Sequence, residues 1–138
     1  MPIKYTCFRQ RGELGNPFDR DEQAMTALAT AGALVALADG RVDAVERDEA
    51  VDYIDRCRLA PTVSRQRVAE FFDGRVRRLQ DRDFTELVVE AFRPVASPSL
   101  VSEVIRLGER IAAADRRFHP CEVQALALIR LLMMPQTR

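Results

Sequence analysis

A chain of 138 residues, 47% hydrophobic and 30% charged, is the size of one globular domain and can bury a core without disulfides or metals. Its 21 basic residues equal its 21 acidic residues, so no overall charge favours nucleic acid or an anionic membrane. Cys7, Cys57 and Cys121 form no Cys-x-x-Cys pair, which argues against a disulfide framework, a zinc finger or a redox dithiol and indicates a reducing cytosol.

The first 17 residues contain two glycines and two prolines and are predicted to form an irregular arm before one helical domain over residues 18–138. The first helix is predicted from about Phe18 to Ala38. Its run "AMTALATAGALVALA" (24–38) ends like a signal-peptide cleavage site, but Asp19, Asp21 and Glu22 lie directly before it, where a signal peptide has a basic region. The run is also too short to span a membrane. We therefore interpret it as a core helix surrounded by other helices.

Apolar residues at three-and-four spacing predict five further helices, and period-two strand patterns are nearly absent. Proline and serine mark several boundaries, as at Pro61, Pro94 and the pair Ser97-Pro98, where serine is the predicted N-cap. The predicted helices run from about Ala44 to Leu59, Val63 to Leu79, Phe84 to Phe92, Ser97 to Asp115 and Pro120 to Met133. The sequence thus predicts an all-α, single-domain bundle of about six helices.

Two stretches of the chain share one arrangement of acidic residues. "ADGRVDAVE" (38–46) and "ADRRFHPCE" (114–122) are 76 positions apart, so that Asp39 matches Asp115 and Glu46 matches Glu122. Downstream, Ala50 matches Leu126 at predicted core positions of the following helices. We interpret the two segments as pseudo-repeated helix-turn-helix units.

Each stretch resembles the second half of an EF-hand loop, with Asp39, Gly40, Asp43 and Glu46 at loop positions 5, 6, 9 and 12. The first half is missing, because apolar residues fall on positions 1 and 3, so neither unit alone is an EF-hand. Helix capping explains part of the pattern without an ion: Asp43 and Glu46 fit a capping box, and Gly40 suits a left-handed C-cap. Capping leaves Asp39 and Asp115 unexplained, since both acids follow a helix C-terminus, where the dipole disfavours an anion.

The segments "ALADGRVDAVERDEAVDYI" and "IAAADRRFHPCEVQALALI" resemble the signature of the TerB-like tellurite-resistance family. Its members carry Ala-Asp-Gly, a branched apolar residue, a short capping residue and Glu after each of two core helices. The resemblance covers roughly residues 20 to 134. It implies an all-α cytoplasmic module of bacterial stress responses, non-enzymatic, and related to a domain of some J-domain co-chaperones.

The resemblance also implies divalent-metal ligands, which in this chain would be Asp39, Asp43 and Glu46 in the first turn and Asp115 and Glu122 in the second. The ion would be Ca²⁺ or another divalent cation, and a protein partner is expected. The second turn departs from the pattern, because Arg116 replaces the glycine and His119 is a poor ligand for a hard cation. We expect the two turns to lie side by side, related by a pseudo-twofold axis, and to share or flank cation sites.

Two other interpretations remain open. In the first, the protein is an ion-free interaction module whose acidic turns are only helix caps. The feature behind this interpretation is the arginine-rich surface of the third predicted helix (Arg65, Arg67, Arg75, Arg77, Arg78 and Arg82). The alternative for these arginines is a solvated face held by intrahelical ion pairs. In the second, the protein is an enzyme, but His119 and Cys121 lack an orienting third group, so we assign no catalytic residue.

Overall fold

The computed structural model describes residues 17–38, 40–57, 62–81, 84–95, 97–114 and 120–133, and these residues form six α-helices without a strand. The predicted all-α, single-domain bundle is confirmed. The predicted arm lies outside the described residues, apart from Pro17, with which the first helix begins. The helices are α1 (Pro17–Ala36), α2 (Ala44–Cys57), α3 (Arg65–Asp81), α4 (Phe84–Phe92), α5 (Pro98–Ala114) and α6 (Pro120–Met133).

Helix α1 is the centre of the bundle and packs against each of the other five helices. From Ala27 to Ala36 every residue is buried, as the apolar character of this run predicted. Five residues of this stretch are alanines, whose small side chains allow the neighbouring helices to pack close to the backbone of α1. No helix within the described ranges is both long and apolar enough to cross a membrane.

Helices α1 and α5 pack against each other through two glycines that are 76 residues apart. A Cβ atom added at Gly32 would lie 3.1 Å from Ile111 Cδ1, and one added at Gly108 would lie 3.4 Å from Val35 Cγ2. Val35 and Ile111 are themselves 76 residues apart. Gly32 thus contacts Ile111 in the way that its equivalent, Gly108, contacts Val35, the equivalent of Ile111. This symmetry supports the interpretation of two pseudo-repeated units.

Serine side chains cap two of the helices at their N-termini. The backbone N–H of Leu100 donates to Ser97 Oγ (3.3 Å), and Pro98 takes the first helical position, as predicted for α5. In the same way, the N–H of Arg67 donates to Ser64 Oγ (3.2 Å) at the start of α3. Each cap satisfies a donor that the first turn of a helix leaves without a partner.

Charged residues of α3 connect this helix to α2. Arg47 Nε and Nη2 donate to the two carboxylate oxygens of Asp73 at 2.8 and 3.0 Å. Arg65 forms an ion pair with Asp52. The predicted intrahelical pairing of the α3 arginines is therefore wrong for Arg65, whose partners belong to the neighbouring helix.

The prediction that Arg75 belongs to a solvated face is also wrong. Its side chain is buried, and its guanidinium carbon lies 5.3 Å from the centroid of the Phe71 ring. The long aliphatic stem of arginine makes such burial feasible, because it packs like an apolar side chain.

Candidate metal centre at the acidic turns

The first acidic turn begins where α1 ends. The last turn of the helix is closed by backbone hydrogen bonds from Ala38 to Val35 (3.1 Å) and from Gly40 to Leu37 (2.9 Å). Gly40 has a φ of 111°, a left-handed conformation that glycine adopts without steric cost. The predicted role of Gly40 is confirmed, and this residue turns the chain toward α2.

Asp43 and Glu46 form the predicted capping box at the start of α2. The N–H of Glu46 donates to Asp43 Oδ1 (2.9 Å), and the N–H of Asp43 donates to Glu46 Oε1 (3.3 Å). Asp43 is exposed, whereas Glu46 is only 1% exposed. The capping box thus contains one exposed carboxylate and one buried carboxylate.

Glu122 has the corresponding place in the second unit. It lies in the first turn of α6, and its exposed fraction is 0%. A carboxylate loses a large hydration free energy on burial, so it needs polar or charged partners inside the protein. Glu46 and Glu122 therefore both carry a buried carboxylate at equivalent positions. Helix capping alone does not require this burial.

The end of α1 lies beside the start of α6. Ala38, at the end of the first unit's first helix, shares the lining of a cavity of about 420 Å³ with Cys121 and Gln124 of the second unit. On the other side, Arg110 near the end of α5 donates to Glu49 of α2 at 3.1 Å. The end of α1 thus lies against α6, and the end of α5 lies against α2. In the sequence, Asp39 follows Ala38 and Glu122 follows Cys121.

Two of the five predicted ligands, Asp39 and Asp115, lie outside the described residues, as do Arg116 and His119. Asp43, Glu46 and Glu122 are described. Over the ranges that the structure describes, no three histidine, cysteine or acidic side chains are grouped as a metal site requires. The predicted ligand set thus stays a prediction.

The donors present fit hard cations better than soft ones. Carboxylate oxygens are the ligands that Ca²⁺ and Mg²⁺ prefer. Asp43 and Glu46 offer such oxygens within one turn of helix, and their capping hydrogen bonds hold both side chains in place. Because a carboxylate oxygen has more than one lone pair, it can accept a hydrogen bond and still coordinate an ion.

A polar cluster that the sequence analysis missed joins α2 to α5 behind the first turn. The Tyr53 hydroxyl donates to Glu103, and the Arg110 guanidinium lies 5.5 Å from the centroid of the Tyr53 ring. Burial raises the pKa of Tyr53 to about 12, with a further contribution from the hydrogen bond to Glu103. A single sequence gives no signal for this cluster, because Tyr53 is 50 positions from Glu103 and still further along the chain from Arg110.

Comparison with known proteins confirms the family resemblance. The family model described as Tellurite resistance protein TerB matches residues 25–136, a span that begins within α1 and includes both acidic turns and α6. No curated protein and no solved structure matches the chain.

Proposed function

The chain belongs to the TerB family, and we propose that it is a non-enzymatic accessory module of a bacterial tellurite or metal stress response. In this proposal the protein is cytoplasmic, binds a divalent cation at its acidic turns and acts through a protein partner. The domain itself is tellurite-resistance-related by its family. The cation, the partner and the cellular location are the parts that experiments must test.

The observation that carries the proposal is the paired placement of Asp43 and Glu46. An exposed carboxylate and a buried one belong to the same capping box, in a turn that Gly40 closes. The match of Glu122 to Glu46 in sequence and in burial supports a second, related turn. Five or fewer acids form an incomplete ligand shell, so water would complete the coordination and the affinity would be modest.

The capping box itself favours a second candidate, an ion-free interaction module. Asp43 and Glu46 already accept hydrogen bonds from each other's backbone, and this alone explains why both residues are needed. On this reading the acids stabilise the start of α2 and bind nothing.

Isothermal titration with Ca²⁺ and with Mg²⁺ tests the proposal on the wild type and on the double variant Asp39→Asn, Glu46→Gln. We expect heat of binding in the wild type and its loss in the double variant. Asp48→Asn is the matched control, since Asp48 lies on the same helix with a side chain that is 69% exposed. No heat in the wild type, or the same heat in the double variant, would exclude cation binding at the acidic turns.

Asp43→Ser separates the two candidates. Serine is an N-cap as good as aspartate, so the free energy of unfolding should change little, but it removes a carboxylate ligand. If the turn binds a cation, we therefore expect weaker cation binding and an unchanged free energy of unfolding. If the acids are only helix caps, we expect no change in cation binding or in the free energy of unfolding.

A further inference from the structure

A second cavity, away from the acidic turns, lies between α1, α3 and α4. Its volume is about 390 Å³, which is near the lower end of the 300–1,000 Å³ that is typical of small-molecule sites. Five of its seven lining residues are polar or charged. The lining residues are Glu22, Gln23, Thr26, Arg75, Glu90, Ala91 and Pro94.

Arg75 gives this cavity a buried positive charge. The residue is only 7% exposed, and its Nη1 atom is shielded from solvent and has no hydrogen-bond partner among the described residues. The ring of Phe71 lies against the guanidinium, which restricts its movement. A buried charge without full compensation is costly to the fold, and Arg75 is one of the residues that line the cavity, so the carboxylate of a ligand there would compensate this charge.

The charged residues near Arg75 shift its pKa in opposite directions. Burial lowers the pKa of the guanidinium, the nearby Arg78 lowers it further, and Glu90 raises it. Arginine nevertheless stays protonated in proteins, so the cavity retains a cation. Glu90 is thus close enough to attract Arg75.

The other lining residues restrict the kind of ligand. Glu22 and Glu90 are exposed and carry negative charge toward the opening, so a simple anion would be repelled on entry. A simple cation would gain from the two glutamates but would be repelled by Arg75. Only a ligand with both signs of charge complements the whole wall, while Gln23 and Thr26 can bond to its neutral polar groups.

We propose that this cavity binds a small zwitterion of the α-amino acid class, with its carboxylate beside Arg75 and its ammonium group between Glu22 and Glu90. The site needs no metal ion, and it does not depend on the proposed cation-binding function.

Titration of a panel of free L-amino acids into the protein in the presence of a chelator tests this proposal. We expect at least one member of the panel to bind. The N-acetylated form of the best binder lacks the cation and its α-amide lacks the carboxylate, so both should bind at least about tenfold more weakly. The absence of any binder, or equal binding of the N-acetylated form, would overturn the proposal.

Variants then assign the binding to this cavity. Arg75→Met keeps a long apolar stem and removes the charge, and exchange of a buried charge for an apolar group is often tolerated by the fold. We expect this variant to bind at least about tenfold more weakly, whereas Arg77→Gln, an exposed position on the same helix, should bind as the wild type does. Glu90→Gln provides the same test at the exposed rim if Arg75→Met does not fold. Unchanged binding in Arg75→Met, or in Glu90→Gln where that variant replaces it, would place the ligand elsewhere and refute the proposal.

Discussion

Gly108 of α5 and Leu126 of α6 lie so close together that a methyl group at residue 108 would come within 2.6 Å of Leu126 Cδ2. Contacts of this length do not occur between unstrained carbon atoms, and Leu126 is itself buried. The packing of Leu126 against residue 108 therefore requires a glycine there. At the matching contact of the first unit, Gly32 faces Ala50, a smaller residue.

Gly108→Ala should lower the free energy of unfolding by about 1–3 kcal/mol, because the added methyl group displaces Leu126 in a packed core. In a Leu126→Ala background the same substitution should cost much less, since the obstructing side chain is gone. Urea denaturation of the two single variants and the double variant measures this coupling. Equal costs of Gly108→Ala in both backgrounds would contradict the close contact.

Gly40→Ala should also be destabilising, by about 1–2 kcal/mol, because an alanine with a φ of 111° is strained even though the space around it is open. Gly74→Ala is a control with the opposite expected sign. Gly74 lies within α3 and a Cβ atom there meets only the end of Arg77, so the higher helix propensity of alanine should stabilise the protein by about 0.5–1 kcal/mol. Neither position is crowded, so opposite shifts of the melting temperature in the two variants would follow from the backbone conformation, and equal shifts would contradict the strain at residue 40.

Arg47 and Asp73 should be coupled by about 0.5–1 kcal/mol in a double-mutant cycle of Arg47→Gln and Asp73→Asn, two substitutions that each remove one of the paired charges. Both side chains are 40% exposed, which limits the energy of the pair, but its two parallel hydrogen bonds place it at the upper end of surface ion pairs. The coupling should fall as salt is added. A coupling that salt does not change would indicate packing of the arginine stem instead.

Tyr53 should ionise with a midpoint near pH 12 rather than near its ordinary value of 10.0. In the folded protein the neutral phenol is favoured, so this residue contributes stability below pH 10 that is lost as the pH rises through 12. Tyrosinate absorbance reports the titration, and Tyr5→Phe leaves Tyr53 as the sole tyrosine.

Glu103→Gln provides the complementary variant for this measurement. It removes the negative charge next to the Tyr53 hydroxyl, so the midpoint should move down toward 10. An unchanged midpoint in this variant would mean that burial alone sets the pKa.

Helix starts were predictable because their causes are local. Serine before proline at residue 97 and aspartate at residue 43 supply a cap within three residues of the donor that they satisfy. Both positions agree with the sequence-based prediction. The left-handed turn at Gly40 was predictable for the same reason, since the chemistry of a single residue type decides it.

The partners of the charged side chains were not predictable, because they depend on tertiary packing. Arg65 and Arg75 lie ten residues apart on one helix, yet Arg65 pairs with α2 and Arg75 is buried beside α4. Helical periodicity separates the two residues by only about 80° around the helix axis and does not say which neighbouring helix each one meets. The buried state of Glu46 was missed for a similar reason, since acidic residues are rarely this inaccessible.

Because five other helices surround α1, few positions of this helix can change in sequence without disturbing the core. A helix that shows almost no surface between Ala24 and Ala36 has few sites at which a new side chain can be displayed to the outside. Variation among related chains that alters molecular recognition should therefore accumulate on the outer helices, while the central one tolerates little beyond exchanges among small residues.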